Sequence, residues 1–109
     1  MRRFVRLDQS PARFFVSVED LPEQLDGDRV YLVGAKRHKW CVAMICPCGC
    51  AATLYMPLLK DSAPRWHVRK HKDGTLTLSP SIWRMVGCKS HFFLIKGRIY
   101  WANSKTEDL

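Results

Sequence analysis

Short hydrophobic runs, separated by turn-forming residues, follow one another along the chain. Runs rich in aromatic and β-branched residues predict strands at residues 14–18 and 29–33. Two further strands are predicted at residues 39–45 and 52–56, on either side of a turn that contains three cysteines. No run approaches the roughly 18 apolar residues that a membrane-spanning helix needs. The pattern therefore predicts a small domain dominated by β-strands.

The segment between the first two strands carries the signals of a short helix. Ser17 or Asp20 can cap its start, Pro22 suits its first turn and Gly27 can end it. We therefore expect one helical turn over residues 19–25.

Alternation after Trp66 predicts a hairpin with a defined register. Val68 and Leu78 share a face only if the connecting loop has an odd number of residues, because a slip of one residue would turn the leucine outward. We therefore predict a three-residue loop at residues 72–74, with Gly74 in the left-handed conformation.

The last hairpin has the opposite parity. A two-residue loop at Lys96-Gly97 brings Leu94 opposite Ile99 and puts both on one face of the ribbon. The polar residues 103–109 after this hairpin are expected to form a loose tail. We predict one all-β or β-dominated domain over residues 1–109, with short hairpins and the single helical turn.

Two groups of soft metal ligands stand out from this framework, and their members are Cys46, Cys48 and Cys50, then Cys88 and His91. Structural zinc is tetrahedral and takes closely spaced pairs of Cys and His from two pieces of chain. Five candidates for four positions leave two sets open. The first is Cys46, Cys48, Cys88 and His91, with Cys50 as a substitute; the second is the four cysteines, with His91 behind them.

The fifth cysteine, Cys41, lies in an apolar run and is expected to be a small buried hydrophobic residue. No apolar segment of a secretory signal follows the basic start of the chain, so a cytoplasmic protein is expected. Cysteines in that compartment favour metal binding over disulfides. An iron–sulfur cluster would take four thiolates, and redox thiols usually come as Cys-x-x-Cys, which this chain lacks.

The chain is basic, with 18 Lys and Arg against ten Asp and Glu and a formal charge of +8. A basic protein favours polyanionic partners, which include nucleic acids and acidic protein surfaces. The candidate binding residues are Lys36, Arg37, Lys39, Arg65, His67, Arg69 and Lys70.

Sequence motifs for catalysis are sparse. No His-Glu-x-x-His motif and no deaminase signature occur, and no acidic partner is evident for the adjacent Ser90 and His91. The sequence therefore favours a non-enzymatic protein, and an enzyme that uses the zinc or a free Cys50 thiolate is the less favoured alternative.

Four motifs, in order and spacing, resemble a bacterial family of small Cys/His proteins of unknown function. They are Cys-Pro-Cys-Gly-Cys at 46–50, Pro-Ser-Ile-Trp at 80–83, Cys-x-Ser-His at 88–91 and Gly-Arg-Ile-Tyr-Trp at 97–101. Members are often encoded beside ubiquitin-like proteins and the enzymes that activate and conjugate them. One departure is Ala51, where the family pattern leads us to expect glycine.

The resemblance implies a zinc-stabilised adaptor or accessory protein in a bacterial ubiquitin-like conjugation system, with pathway proteins as partners. A basic, zinc-containing nucleic-acid-binding domain is the alternative that the charge supports.

Overall fold

The computed structural model describes residues 5–84 and 87–102. Within these residues the chain forms ten strands and no helix, so the prediction of an all-β fold is confirmed. The strands are β1 (Val5–Leu7), β2 (Phe14–Val18), β3 (Arg29–Ala35), β4 (His38–Ile45), β5 (Thr53–Pro57), β6 (His67–Lys70), β7 (Leu76–Ser79), β8 (Ile82–Trp83), β9 (His91–Ile95) and β10 (Arg98–Ala102). Accordingly, the described residues contain no helix that could cross a membrane.

The strands form two four-stranded sheets and one ribbon. The first sheet has the order β1-β10-β9-β8, the second has the order β2-β3-β4-β5, and β6 pairs with β7. Every pairing is antiparallel except that of β2 with β3. The ribbon is tied to the turn between β9 and β10, because Gly97 N–H donates to Leu76 O and Lys96 N–H donates to Thr77 Oγ1.

One hydrophobic core joins both sheets and the ribbon. Strands β3, β4 and β5 contribute one side of it, and β7, β8, β9 and β10 contribute the other. Its largest fully buried side chains include Phe92, Leu32 and Met44. A second, smaller cluster on the opposite face of the second sheet contains Tyr31, Val33 and Ala43.

Both predicted hairpins form in the predicted registers. Val68 lies opposite Leu78, and Gly74 has a φ of 89° in a loop at residues 72–74. In the last hairpin Leu94 lies opposite Ile99. The two loop residues, Lys96 and Gly97, have φ values of 50° and 76°. Positive φ at both positions is typical of the type I′ turn, whose twist matches that of the strands.

The predicted helical turn over residues 19–25 is wrong, because this segment is an extended crossover with bends. The chain must return along the length of β2 to enter the parallel strand β3. Extended chain covers roughly 3.3 Å per residue, whereas a helix covers about 1.5 Å. Leu21 and Leu25 instead pack on the second cluster, and Asp26 N–H donates to Tyr31 Oη over 2.8 Å.

Two short strands were not predicted. β1 pairs with β10, and the two-residue strand β8 pairs with β9 through Ile82 opposite Phe92 and Trp83 opposite His91. The predicted tail at residues 103–109 lies outside the described residues.

Candidate functional site

The turn between β4 and β5 carries three of the predicted metal ligands. It is closed by Cys46 N–H, which donates to Ala52 O over 2.8 Å. Gly49 and Ala51 have φ values of 98° and 68°, so two left-handed residues reverse the chain between the cysteines. The loop between β8 and β9 supplies Cys88 from the other sheet.

The sulfurs of Cys46, Cys48, Cys50 and Cys88 lie within 4.8 Å of one another, and we call them the four-sulfur site. Cys46 Sγ is 3.5 Å from Cys48 Sγ and 3.6 Å from Cys88 Sγ. A tetrahedral zinc with Zn–S bonds of about 2.3 Å requires sulfurs roughly 3.8 Å apart. The donor set and its spacing therefore fit a tetrahedral metal ion.

Polar groups around the four-sulfur site stabilise negative charge on two of its sulfurs. The Ser90 hydroxyl, 3.0 Å from Cys88 Sγ, and the Ser90 backbone N–H lower the pKa of Cys88 to about 6. The Ala52 backbone N–H lowers the pKa of Cys50, whereas burial raises the pKa of Cys46 to about 11. Arg84 Nη1 lies 3.2 Å from Cys88 Sγ and 3.4 Å from Cys50 Sγ. The positive charge of this guanidinium offsets part of the negative charge that a cluster of thiolates carries.

The remaining predicted ligand, His91, lies outside the four-sulfur site. Its Nε2 is 2.9 Å from Ser81 Oγ, and we call these two residues the Ser81–His91 pair. Ser81 directly precedes β8 and His91 begins β9, so the pairing of these strands brings the two side chains to one face. Of the two ligand sets left open by the sequence, the four cysteines are the set that the structure brings together.

Aromatic residues contact both members of the pair. The Trp83 indole stacks on the His91 imidazole, with centroids 4.7 Å apart and an interplanar angle of 9°. Phe93 contacts the imidazole at a centroid distance of 5.9 Å. Trp66 Nε1–H donates to Ser81 O over 3.4 Å. A hydroxyl and an imidazole held within 2.6–3.2 Å are the arrangement of an activated serine nucleophile and its base.

A family model matches residues 17–102, which are most of the chain, and its description is "Bacterial ubiquitination-like system serine protease (BubE)". The chain belongs to this family. The resemblance to small proteins encoded beside ubiquitin-like components is therefore confirmed. Comparison with curated proteins and with solved structures gives no significant match.

A second hydroxyl–imidazole pair in this BubE-family chain has a different environment. His71 Nε2 lies 2.7 Å from Thr77 Oγ1 on the face of the β6–β7 ribbon. Thr77 Oγ1 also accepts the Lys96 backbone N–H over 2.9 Å, so this hydroxyl links the ribbon to the β9–β10 turn. Its contacts are those of a structural hydroxyl.

The predicted basic residues lie on three parts of the fold. Two of them, Lys36 and Arg37, form the β3–β4 turn, and Lys39 follows in β4. Arg65 precedes β6 and donates from Nε to Leu58 O over 3.0 Å, while His67, Arg69 and Lys70 are exposed in β6. Cys41 is half-buried against the second hydrophobic cluster, and burial raises the pKa of its thiol.

Sequence reasoning missed Ser81, because it tested only Ser90 as a partner for His91. Ser90 is turned toward the four-sulfur site, where Cys46 Sγ donates to its hydroxyl over 3.8 Å. Neighbouring strand residues point to opposite faces, so Ser90 and His91 belong to different sites. The usable signal was the Pro-Ser-Ile-Trp motif, which sits one loop before His91.

Proposed function

We propose that this protein is a serine protease of a bacterial ubiquitin-like system, with Ser81 as the nucleophile and His91 as its general base. The observation that carries the proposal is the distance of 2.9 Å between Ser81 Oγ and His91 Nε2. The description of the family as a serine protease supports it independently. The partners that this implies are ubiquitin-like proteins or their conjugates.

The geometry supports a two-step acyl transfer. Ser81 Oγ forms a bond to the scissile carbonyl carbon while its proton passes to His91 Nε2, and the imidazolium gives that proton to the leaving amine as the C–N bond breaks. Water then attacks the acyl-serine ester. One proton of the water passes to Nε2 and from there to Ser81 Oγ as the ester bond breaks, which restores the enzyme and releases the new carboxylic acid. The acid then ionises and gives the second proton to solvent.

We propose zinc as the metal of the four-sulfur site, held by the four cysteines. Four thiolates with closely spaced positions are a structural zinc donor set, and a closed set leaves no open position for substrate. Bound zinc would tie the β4–β5 turn to the loop before β9. Ser90, whose hydroxyl contacts Cys88 Sγ, would then hold the next residue, His91, in place at the start of β9.

A fluorophosphonate probe together with a cleavage assay tests the protease proposal. We expect the probe to label Ser81, as mapped by peptide mass spectrometry, and the protein to cleave a bacterial ubiquitin-like protein that carries a C-terminal extension. Ser81→Ala and His91→Gln should abolish both labelling and cleavage. Ser79→Ala is the matched control, because Ser79 is exposed at the end of β7 and lies outside the pair. Full activity in Ser81→Ala would exclude this nucleophile.

A non-enzymatic adaptor in the same system is the second candidate. Its support is the exposure of Tyr55, which is 60% accessible on β5 at the edge of the second sheet. Exposed aromatic side chains at an edge strand are suited to contacts with a protein partner. This proposal predicts that Ser81→Ala still restores function in a deletion strain, whereas Tyr55→Ala does not and no longer pulls down pathway proteins.

Nucleic-acid binding stays a prediction from charge. It predicts affinity that falls steeply with salt and weakens when Arg69 and Lys70 are replaced by glutamine. A cytoplasmic location is supported by the five free cysteines, which suit a reducing compartment.

A further inference from the structure

Strand β8 lies at the edge of the first sheet and carries backbone groups next to the Ser81–His91 pair. Among the strands that the structure describes, β8 pairs only with β9. The side chain of Trp83 is 53% accessible, so solvent reaches this part of the edge.

The hydrogen-bond pattern between β8 and β9 defines which backbone groups point outward. Arg84 N–H donates to Ser90 O over 2.8 Å, so Arg84 and Ser90 form a hydrogen-bonded pair of the ladder. The adjacent pair, Trp83 opposite His91, is therefore one whose two residues exchange no backbone hydrogen bonds. In an antiparallel ladder the N–H and C=O of such a residue point away from the partner strand. The N–H and C=O of Trp83 are therefore directed to the open side of β8.

The same alternation directs the backbone of Ser81 to the open side, where the Trp66 indole already binds its carbonyl. The outward carbonyl of Ser81 is thus already bonded to Trp66. Trp83 is the residue of this edge whose N–H and C=O can both bond to an added strand. Only a chain in extended conformation presents N–H and C=O groups at the matching spacing.

We propose that the edge of β8 binds the substrate as an additional strand, in which one substrate residue exchanges two backbone hydrogen bonds with Trp83. This inference rests on the proposed protease function, and it specifies the substrate class. The segment that is cut must be extended and free of its own secondary structure, as in a flexible tail or linker of the partner protein.

The register of this strand determines where cleavage occurs. Residues two apart along a strand are separated by roughly 6.6–6.8 Å, so a substrate residue two positions from the one paired with Trp83 lies beside Ser81. The scissile carbonyl is therefore expected within two residues of the paired residue. Changes to the substrate backbone should therefore weaken binding at alternate residues. Most side chains should be tolerated at the substrate positions that point to solvent.

Binding of N-methylated peptides to the Ser81→Ala protein tests the proposal without requiring turnover. The probe is a short synthetic peptide selected for binding from a peptide library, and each of its backbone amides is methylated in turn. We expect methylation of the residue paired with Trp83 to weaken binding about tenfold or more, which corresponds to the loss of one hydrogen bond. Methylation of the residue on either side should have little effect. A flat methylation profile, or no library peptide that binds, overturns the proposal.

Two variants of Trp83 separate its backbone from its side chain. Trp83→Pro removes the outward N–H together with the indole, whereas Trp83→Ala removes the indole alone. We expect Trp83→Pro to bind the unmethylated peptide more weakly than Trp83→Ala, and equal affinities would overturn the proposal. Cleavage by the wild-type protein is scored separately, so a protein that binds peptides in this register without cutting them contradicts the protease function alone.

Discussion

Ser90 Oγ lies 3.0 Å from Cys88 Sγ, and the residue that follows Ser90 is His91. The side chain of Ser90 therefore belongs to the four-sulfur site, whereas its backbone leads directly into the catalytic candidate. Ser90 O also accepts the Arg84 N–H, which closes the loop between β8 and β9. The four-sulfur site and the Ser81–His91 pair are thus joined through one residue.

Ser90→Ala should weaken metal binding at the four-sulfur site and lower the stability of the fold. Loss of a hydrogen bond behind a metal ligand typically lowers metal affinity by about 10–100-fold. We expect this loss in a competition titration with a chromophoric chelator, together with a free energy of unfolding lower by about 1–2 kcal/mol. Ser17→Ala, at an exposed position in β2, is the control. Wild-type metal affinity in Ser90→Ala would show that this hydroxyl does not support the site.

Replacement of single cysteines should distinguish the four-sulfur site from the rest of the chain. Cys46→Ser removes the buried ligand, and we expect loss of bound zinc, measured by elemental mass spectrometry, and a large fall in Tm. Structural zinc contributes about 10–16 kcal/mol of apparent binding free energy in small peptides, so its loss can unfold a small domain.

Cys41→Ala is the matched control, because Cys41 packs on the second hydrophobic cluster. It should keep its zinc and lose only about 1 kcal/mol of stability. If Cys46→Ser does not fold, titration of the wild-type protein with a chelator gives the same test, since zinc removal should lower Tm. Zinc content equal to wild type in Cys46→Ser, or a Tm that is insensitive to chelation, contradicts the assignment.

The sequence predicted those parts of the fold that depend on local alternation. The parity of hydrophobic positions determined both hairpins, because a slip of one residue would expose Leu78 or Ile99. The parallel pairing of β2 with β3 was not predictable in this way, since it joins segments separated by a crossover and leaves no periodic signal. The prediction of a helical turn at residues 19–25 failed because the crossover must span the length of β2, and this requirement outweighed the local capping signals.

Residues of the candidate site that lie close together in the sequence were easier to predict than residues that only strand pairing brings together. Three cysteines within five residues indicated the cysteine-rich turn of the four-sulfur site without any knowledge of the fold. The Ser81–His91 pair depends on β8, which is two residues long and therefore too short to show alternation. Its detection required the pairing of Trp83 with His91.

The Asp8 carboxylate should make stability fall at acidic pH. Asp8 accepts hydrogen bonds from Ser10 and from Trp101 Nε1–H, the latter over 3.1 Å, and these bonds lower the pKa of Asp8 below its usual value. A carboxylate whose folded pKa is lowered stabilises the fold above its unfolded pKa of about 3.9, and this stabilisation is lost as pH falls through the folded value.

Thermal unfolding from neutral to acidic pH measures this contribution. We expect Asp8→Asn to lower Tm at neutral pH, and we expect the gap from wild type to narrow below about pH 4. Asp20→Asn, at an exposed position in the crossover, is the control. A difference in Tm that stays constant across this pH range would show that Asp8→Asn acts through the shape of the side chain and not through its charge.

Ala51→Gly should stabilise the protein, although it deletes a side chain. Ala51 has a φ of 68°, and left-handed backbone costs an L-residue about 1–2 kcal/mol, whereas glycine adopts it without strain. The greater freedom of glycine in the unfolded chain costs roughly 0.5–1 kcal/mol, so a net gain of about 0.5–1 kcal/mol is expected in denaturant unfolding. This strain explains why the family pattern led us to expect glycine at position 51. Ala35→Gly, at the exposed end of β3, lacks such strain and should destabilise the protein, so destabilisation by both substitutions would contradict the argument.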